Sequence, residues 1–111
     1  MNDTIKVIDL GDYRVEGNLD FASRTRGIAV RTKSDIDTLA RYYQKIVIKV
    51  PKEVYSISQP FLKEFLGNLI HECKTKEKFF NKVDFEPQGR YKVKAEVEEV
   101  VEDLLELPLT A

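Results

Sequence analysis

The chain has one histidine, His71, and one cysteine, Cys73, two residues apart in a stretch of helical periodicity. A thiolate nucleophile needs a base within hydrogen-bonding reach, and helix residues at i and i+2 do not face each other. His71 is therefore expected near a helix end with its ring partly packed, and Cys73 as a small apolar residue on the buried face. Asp84 and Glu86 alternate on a strand pattern and share a face, the arrangement of a solvated carboxylate pair more than of an acid and base. Gly11, Gly17, Gly27, Gly67 and Gly89 are scattered and form no phosphate-binding loop. A single cysteine gives no intramolecular disulfide and no metal pair. The expectation is a chain with no catalytic residues, no metal and no cofactor.

The chemistry left is that of contact. Tyr55-Ser-Ile-Ser-Gln59 follows the apolar run Ile46-Val-Ile-Lys-Val50 and precedes Pro60. A buried strand, a polar loop and a helix start in that order can present backbone NH groups and hydroxyls at the edge of a sheet. Tyr55, Ser56, Ser58 and Gln59, with Lys63 and Glu64 on the exposed start of the next helix, are the expected partner-binding residues. Arg24 and Arg26 join them if their own helix starts beside the same edge. Ser58 has two readings. Its hydroxyl suits a helix N-cap, a position that falls at Ser58 or Gln59, and a phosphate on Ser58 would gain from the helix dipole and free NH groups.

These residues need elements to hold them. Phe61, Leu62, Phe65, Leu66, Leu69, Ile70 and Cys73 recur at helical spacing, with Pro60 in the first turn, where its missing NH costs nothing. Ile5 and Val7, with Leu10 at the end, suggest a first strand. Tyr13 to Val15 continues it or adds a short one, and Gly17-Asn18 reads as a turn. Two arrangements fit the next stretch. One is a helix from Arg24 to Tyr43 capped by Ser23; the other is a strand through Gly27 to Thr32, followed by a helix capped at Ser34. A polar connector follows Cys73, with Phe79-Phe80 tucked onto the core. Lys82 to Glu86 alternates as a half-buried strand, ended by Pro87-Gln-Gly89. Val97, Val100, Val101, Leu104 and Leu105 form the apolar stripe of a last helix, stopped by Pro108, with its acidic residues outward. The expected fold is a single α/β domain, residues 1–111, with a small mixed sheet of about four strands against two to three helices.

At 111 residues, 42% hydrophobic and 33% charged, the chain can bury one modest core. No apolar run approaches the roughly 18 residues that cross a bilayer, and the first residues lack the pattern of a secretory signal. The expected setting is cytoplasmic, without membrane contact. A net charge of -1 argues against bulk electrostatic binding of nucleic acid. The charges are nonetheless polarised. Arg24, Arg26, Arg31, Lys33, Arg41 and Lys45 precede the central strand, and Glu96, Glu98, Glu99, Glu102, Asp103 and Glu106 crowd the end. Either each is a solvated helix face, or the two form a bipolar surface used for docking, self-association included.

The segment Ile46-Val-Ile-Lys-Val-Pro-Lys-Glu-Val-Tyr-Ser-Ile-Ser-Gln-Pro-Phe-Leu-Lys-Glu-Phe-Leu-Gly67 resembles the core signature of STAS-like domains, relatives of the anti-sigma factor antagonists. Phe21-Ala-Ser-Arg-Thr-Arg-Gly27 resembles the family's upstream Ser-Arg segment. The resemblance spans most of Ile5 to Leu107. It implies a small sheet flanked by helices, no catalysis, and the switching of a protein partner, commonly kinase-like or sigma-regulating. At the position of the phosphorylated serine of the antagonists this chain has Gln59 or Pro60, and where they tend to have an acidic strand end it has Val50-Pro-Lys-Glu53. The functional expectation is a non-enzymatic regulatory interaction module. The alternatives are a small inhibitor from a mobile element that blocks a host enzyme, with the acidic helix in a basic groove, and a weak nucleic-acid-binding domain using Arg24, Arg26, Arg31 and Lys33.

Overall fold

The computed structural model describes residues 5–13, 23–54 and 56–110. The expected extension from Tyr13 to Val15, the Gly17-Asn18 turn, the Phe21 end of the Ser-Arg segment and Tyr55 lie wholly or partly outside them. Strands β1 (Ile5–Asp9), β2 (Lys45–Val50) and β3 (Val83–Pro87) alternate with helices α1 (Arg24–Ser34), α2 (Ile36–Tyr42), α3 (Gln59–Cys73), α4 (Lys76–Lys82) and α5 (Val93–Thr110). The described sheet has three strands in the order β1-β2-β3, all parallel. Among the described residues, the expected mixed sheet of about four strands with two to three helices is corrected to three parallel strands and five α-helices. The reason is topological, because each strand is followed by helix and returns by a crossover instead of a hairpin.

The strand order advances in one direction, so right-handed crossovers bring the connecting helices to the same face of the sheet. Burial agrees. In β2 the residues Ile46, Ile48 and Val50 are buried while Lys45, Val47 and Lys49 are half-exposed. The register places Ile8 beside Ile48 and Val83 beside Ile46, all four buried in the core. Over them lies α3, which buries Phe61, Leu62, Phe65, Leu66, Leu69 and Ile70. One continuous core runs from Ile8 and Leu10 through α3 to Val93, Val97, Val100 and Val101 of α5.

The stretch open to two arrangements is helical. Ser23 caps α1 by accepting from the Arg26 NH at 3.1 Å. The expected strand from Gly27 to Thr32 is absent because that stretch packs as a helix against α3. Gly27 permits the contact, since a Cβ there would lie 2.5 Å from the Phe61 carbonyl oxygen. The helix does break once, at Asp35, whose φ of 56° separates α1 from α2. Ser34 is thus the last residue of α1 and not a cap; it is buried and donates to the Arg31 carbonyl at 3.4 Å. Two further expectations change. The polar connector is in fact α4, capped by Thr75, whose hydroxyl accepts from the Lys78 NH at 3.0 Å. Pro108 does not stop α5, which continues to Thr110; its missing NH removes one hydrogen bond of the helix.

Candidate functional site

The loop after β2 turns at once, with the Val54 NH donating to the Pro51 carbonyl at 3.1 Å. Val54 and Ile57 are buried and leave Ser56 between them exposed. The Tyr91 hydroxyl fixes the loop from below, accepting from the Ile57 NH at 3.1 Å and donating to the Ile57 carbonyl at 3.3 Å. Burial pushes the Tyr91 phenol above its ordinary value, partly offset by its backbone hydrogen bond to Ile57. Ser58 is half-buried, with an extended backbone, and its Oγ accepts from the Phe61 NH at 3.2 Å. It is the N-cap of α3, and Pro60 follows in the first turn.

The expected site residues beyond the loop meet between three helices. Arg24 of α1 donates through Nε to Glu64 Oε2 of α3 at 3.0 Å, and its Nη2 lies 2.8 Å from the same oxygen. Arg24, Pro60, Lys63, Glu64 and Leu104 line an open groove of about 460 Å³. Lys63 pairs with Asp103 of α5 at 3.6 Å, and Gln59 Nε2 donates to Glu99 Oε1 at 3.1 Å and to Glu96 Oε2 at 3.4 Å. Arg26 does not line this groove; its Nη2 donates to the Tyr13 carbonyl at 3.0 Å and ties α1 to the turn after β1. Arg31 does not line the groove either, but it braces Glu64, donating to its carbonyl at 2.9 Å. Its signal was present in the sequence, because positions 24 and 31 are two helical turns apart and lie on one face.

The acidic end of the chain is partly spoken for. Glu96, Glu99 and Asp103 turn toward α3, and Glu102 pairs with Lys76 of α4 at 2.6 Å. The expected outward face holds for Glu99, Glu102 and Asp103, which are exposed, and helix packing brings lysines and an amide alongside them. His71 is exposed instead of partly packed, and Cys73 is half-buried on the margin of the core. Burial raises the Cys73 thiol above its usual range, which lowers its thiolate content. Among the described residues no three His, Cys, Asp or Glu side chains are grouped to hold a metal ion, and no described helix is long and apolar enough to cross a membrane. Comparison with protein-family models, with curated proteins and with solved structures returns no match for this chain.

Proposed function

We propose that the chain is a regulatory protein-docking module of STAS-like type, engaging its partner through the loop Ser56 to Gln59 and the adjoining surface of Arg24, Lys63 and Glu64. One observation supports this reading: Arg24 of α1 and Glu64 of α3, 40 positions apart, meet beside Pro60 and Lys63 at the helix start that Ser58 caps. Charged groups held by neighbours in fixed positions favour fast, selective encounter with a complementary protein surface. The partner class that the STAS-like resemblance implies is a kinase-like or sigma-regulating protein. Chemistry on the substrate side has no part in this role, and switching would come from changes in charge at the loop, Ser58 phosphorylation included. A phosphate on Ser58 would replace the neutral cap and add charge at the start of α3.

The test compares three baits in lysate: wild type, the double variant Ser56→Arg/Lys63→Glu, and a control Lys78→Glu on the exposed side of α4. The reading requires a protein that wild type and control retain and the double variant loses, with circular dichroism unchanged. Equal retention by all three would remove the loop from the docking surface. Ser58→Ala separates capping from contact. Loss of the cap alone lowers stability by about 1 kcal/mol in a denaturant melt, and a loss of partner affinity well beyond that would assign Ser58 to the interface.

A further inference from the structure

The carboxyl edge of the sheet carries a second cleft, away from the three-helix groove. Lys52, Val54, Gly89, Arg90 and Tyr91 line about 450 Å³ of open space where the loops after β2 and β3 meet. Parallel sheets place their ligand sites at this edge, outside the carboxyl ends of the strands. The walls are built by the fold. The Gln88 NH donates to the Val50 carbonyl at 2.8 Å. Gly89 then approaches the Lys52 backbone so closely that a Cβ would lie 2.8 Å from its carbonyl oxygen. Tyr91 is held by the two hydrogen bonds to Ile57, so its ring forms a fixed wall, and Val54, 2% exposed, forms the floor.

This cleft brings two cations together with no carboxylate among its described lining residues. Arg24, Arg31, Arg41, Lys45, Lys63 and Lys76 each have a carboxylate partner. Lys52 and Arg90 have none among the described residues, and no carboxylate lines the cleft with them. The neighbouring cleft on the other side of the same loops is the opposite case, with Asp9 and Asp12 beside Lys49. Two uncompensated cations from two loops, above an apolar floor and a fixed aromatic wall, match an anion that carries an apolar body. An Arg and a Lys suit an oxyanion with several acceptor oxygens, and preset walls reduce the ordering cost of binding.

We propose that this cleft binds a phosphate monoester on an aromatic or aliphatic group, with Lys52 and Arg90 on the oxyanion and Val54 and Tyr91 on the body. The cleft adjoins the docking loop, because Tyr91 holds Ile57, but its lining residues are not those assigned to docking and it does not depend on that reading. Amide chemical shifts of the intact chain, titrated with phenyl phosphate and with inorganic phosphate, test it. The expected result is saturable movement of the Lys52, Gly89, Arg90 and Tyr91 amides. Phenyl phosphate should bind about tenfold tighter than inorganic phosphate, the ratio that 1.4 kcal/mol of ring contact produces. Saturation should vanish in Lys52→Gln/Arg90→Gln, two exposed substitutions that leave the core intact. A linear response, shifts unchanged in the double variant, or equal affinity for the two anions would overturn the proposal. A phosphotyrosine peptide supplies the last arm. Tighter binding than phenyl phosphate supports a site for a modified protein segment, and equal binding supports a site for a small phosphate ester.

Discussion

The two faces of the sheet are made from the same kinds of residue and have different fates. On the covered face Ile8, Ile46, Ile48 and Val83 are buried under α3 and its neighbours. On the other, the register lines up Val7, Val47 and Asp84, and then Asp9, Lys49 and Glu86, with Ile5 and Val7 left 53% and 47% exposed. Hydrophobicity alone does not distinguish Val7 from Ile8. What decides is the side to which each points and the fact that both crossovers deliver their helices to one side. Purely parallel sheets normally have helices on both faces, so the charges on the open face have a physical role. Lys45 pairs with Asp84 at 3.4 Å, and together they keep an otherwise β-branched surface wet.

The comparison is sharpest at Ile48, at the centre of the covered face and fully buried. Ile48→Ala removes three carbons from a site enclosed by the central strand and α3, and the expected cost is about 2–5 kcal/mol in a urea melt. A loss below about 1 kcal/mol would mean that the covered face is loosely packed and the contrast between the faces false. Next in size is Gly27→Ala. In an isolated helix the change would help by up to about 1 kcal/mol. Here the added methyl meets the Phe61 carbonyl oxygen and the Glu64 side chain across the α1–α3 crossing. The net effect is therefore a loss of about 1–3 kcal/mol. A stabilised variant would show that α1 stands farther from α3 than described.

Much of the covered side was legible because one period governs it. The apolar stripe from Phe61 to Ile70 repeats at helical spacing, so α3 and its Pro60 first turn follow from residue types alone, while the cap, open between Ser58 and Gln59, is settled as Ser58 by its bond to the Phe61 NH. The strand Val83–Pro87 showed through its alternation, and the Arg24 to Ser34 region did not show clearly because β-branched Ile28, Val30 and Thr32 favour strand locally. There the close contact allowed by Gly27 outweighed propensity, and such a contact belongs to tertiary structure. Asp35, a non-glycine residue at positive φ, gave no sign of the break that it makes. At the candidate site Arg24, Lys63 and Glu64 were legible as polar helix-start residues, but the expected exposure of Lys63 and Glu64 is corrected to half-buried, because the convergence of α1, α3 and α5 that covers them was not legible. Arg26 was separated from them by its bond to the Tyr13 carbonyl, which only the chain's return past β1 creates.

Tyr91 links the covered core to the loop and makes the comparison depend on pH. Tyr91→Phe removes both hydrogen bonds to Ile57, at an expected cost of about 1 kcal/mol near neutral pH. The sign of the pH effect follows from linkage. Burial raises the phenol above its unfolded value, so the folded chain holds the proton more tightly than the unfolded chain. Its contribution is complete below the ordinary tyrosine range, near 10, and is lost as pH rises from there through the folded value. The wild type should therefore lose stability faster than Tyr91→Phe above that point. Parallel curves for the two proteins would place the ring in water and detach the loop from the core.

The smallest expected effect tests the open face directly. Val7→Thr keeps the β-branched shape and the strand preference, and replaces one methyl with a hydroxyl on a half-exposed side chain. If water covers that face, the hydroxyl is solvated as well in the folded chain as in the unfolded one, and the melt should move by no more than about 0.5 kcal/mol. Ile8→Thr, one residue on, would strand a hydroxyl in the core and also delete one carbon, and would cost several times as much. The ratio between the two positions is thus a solution measure of how far the faces differ. A Val7→Thr loss that approaches the Ile8→Thr loss would mean that the face is covered in solution. If that loss grew with protein concentration, the cover would be a second copy of the chain, because only association makes a surface substitution depend on concentration.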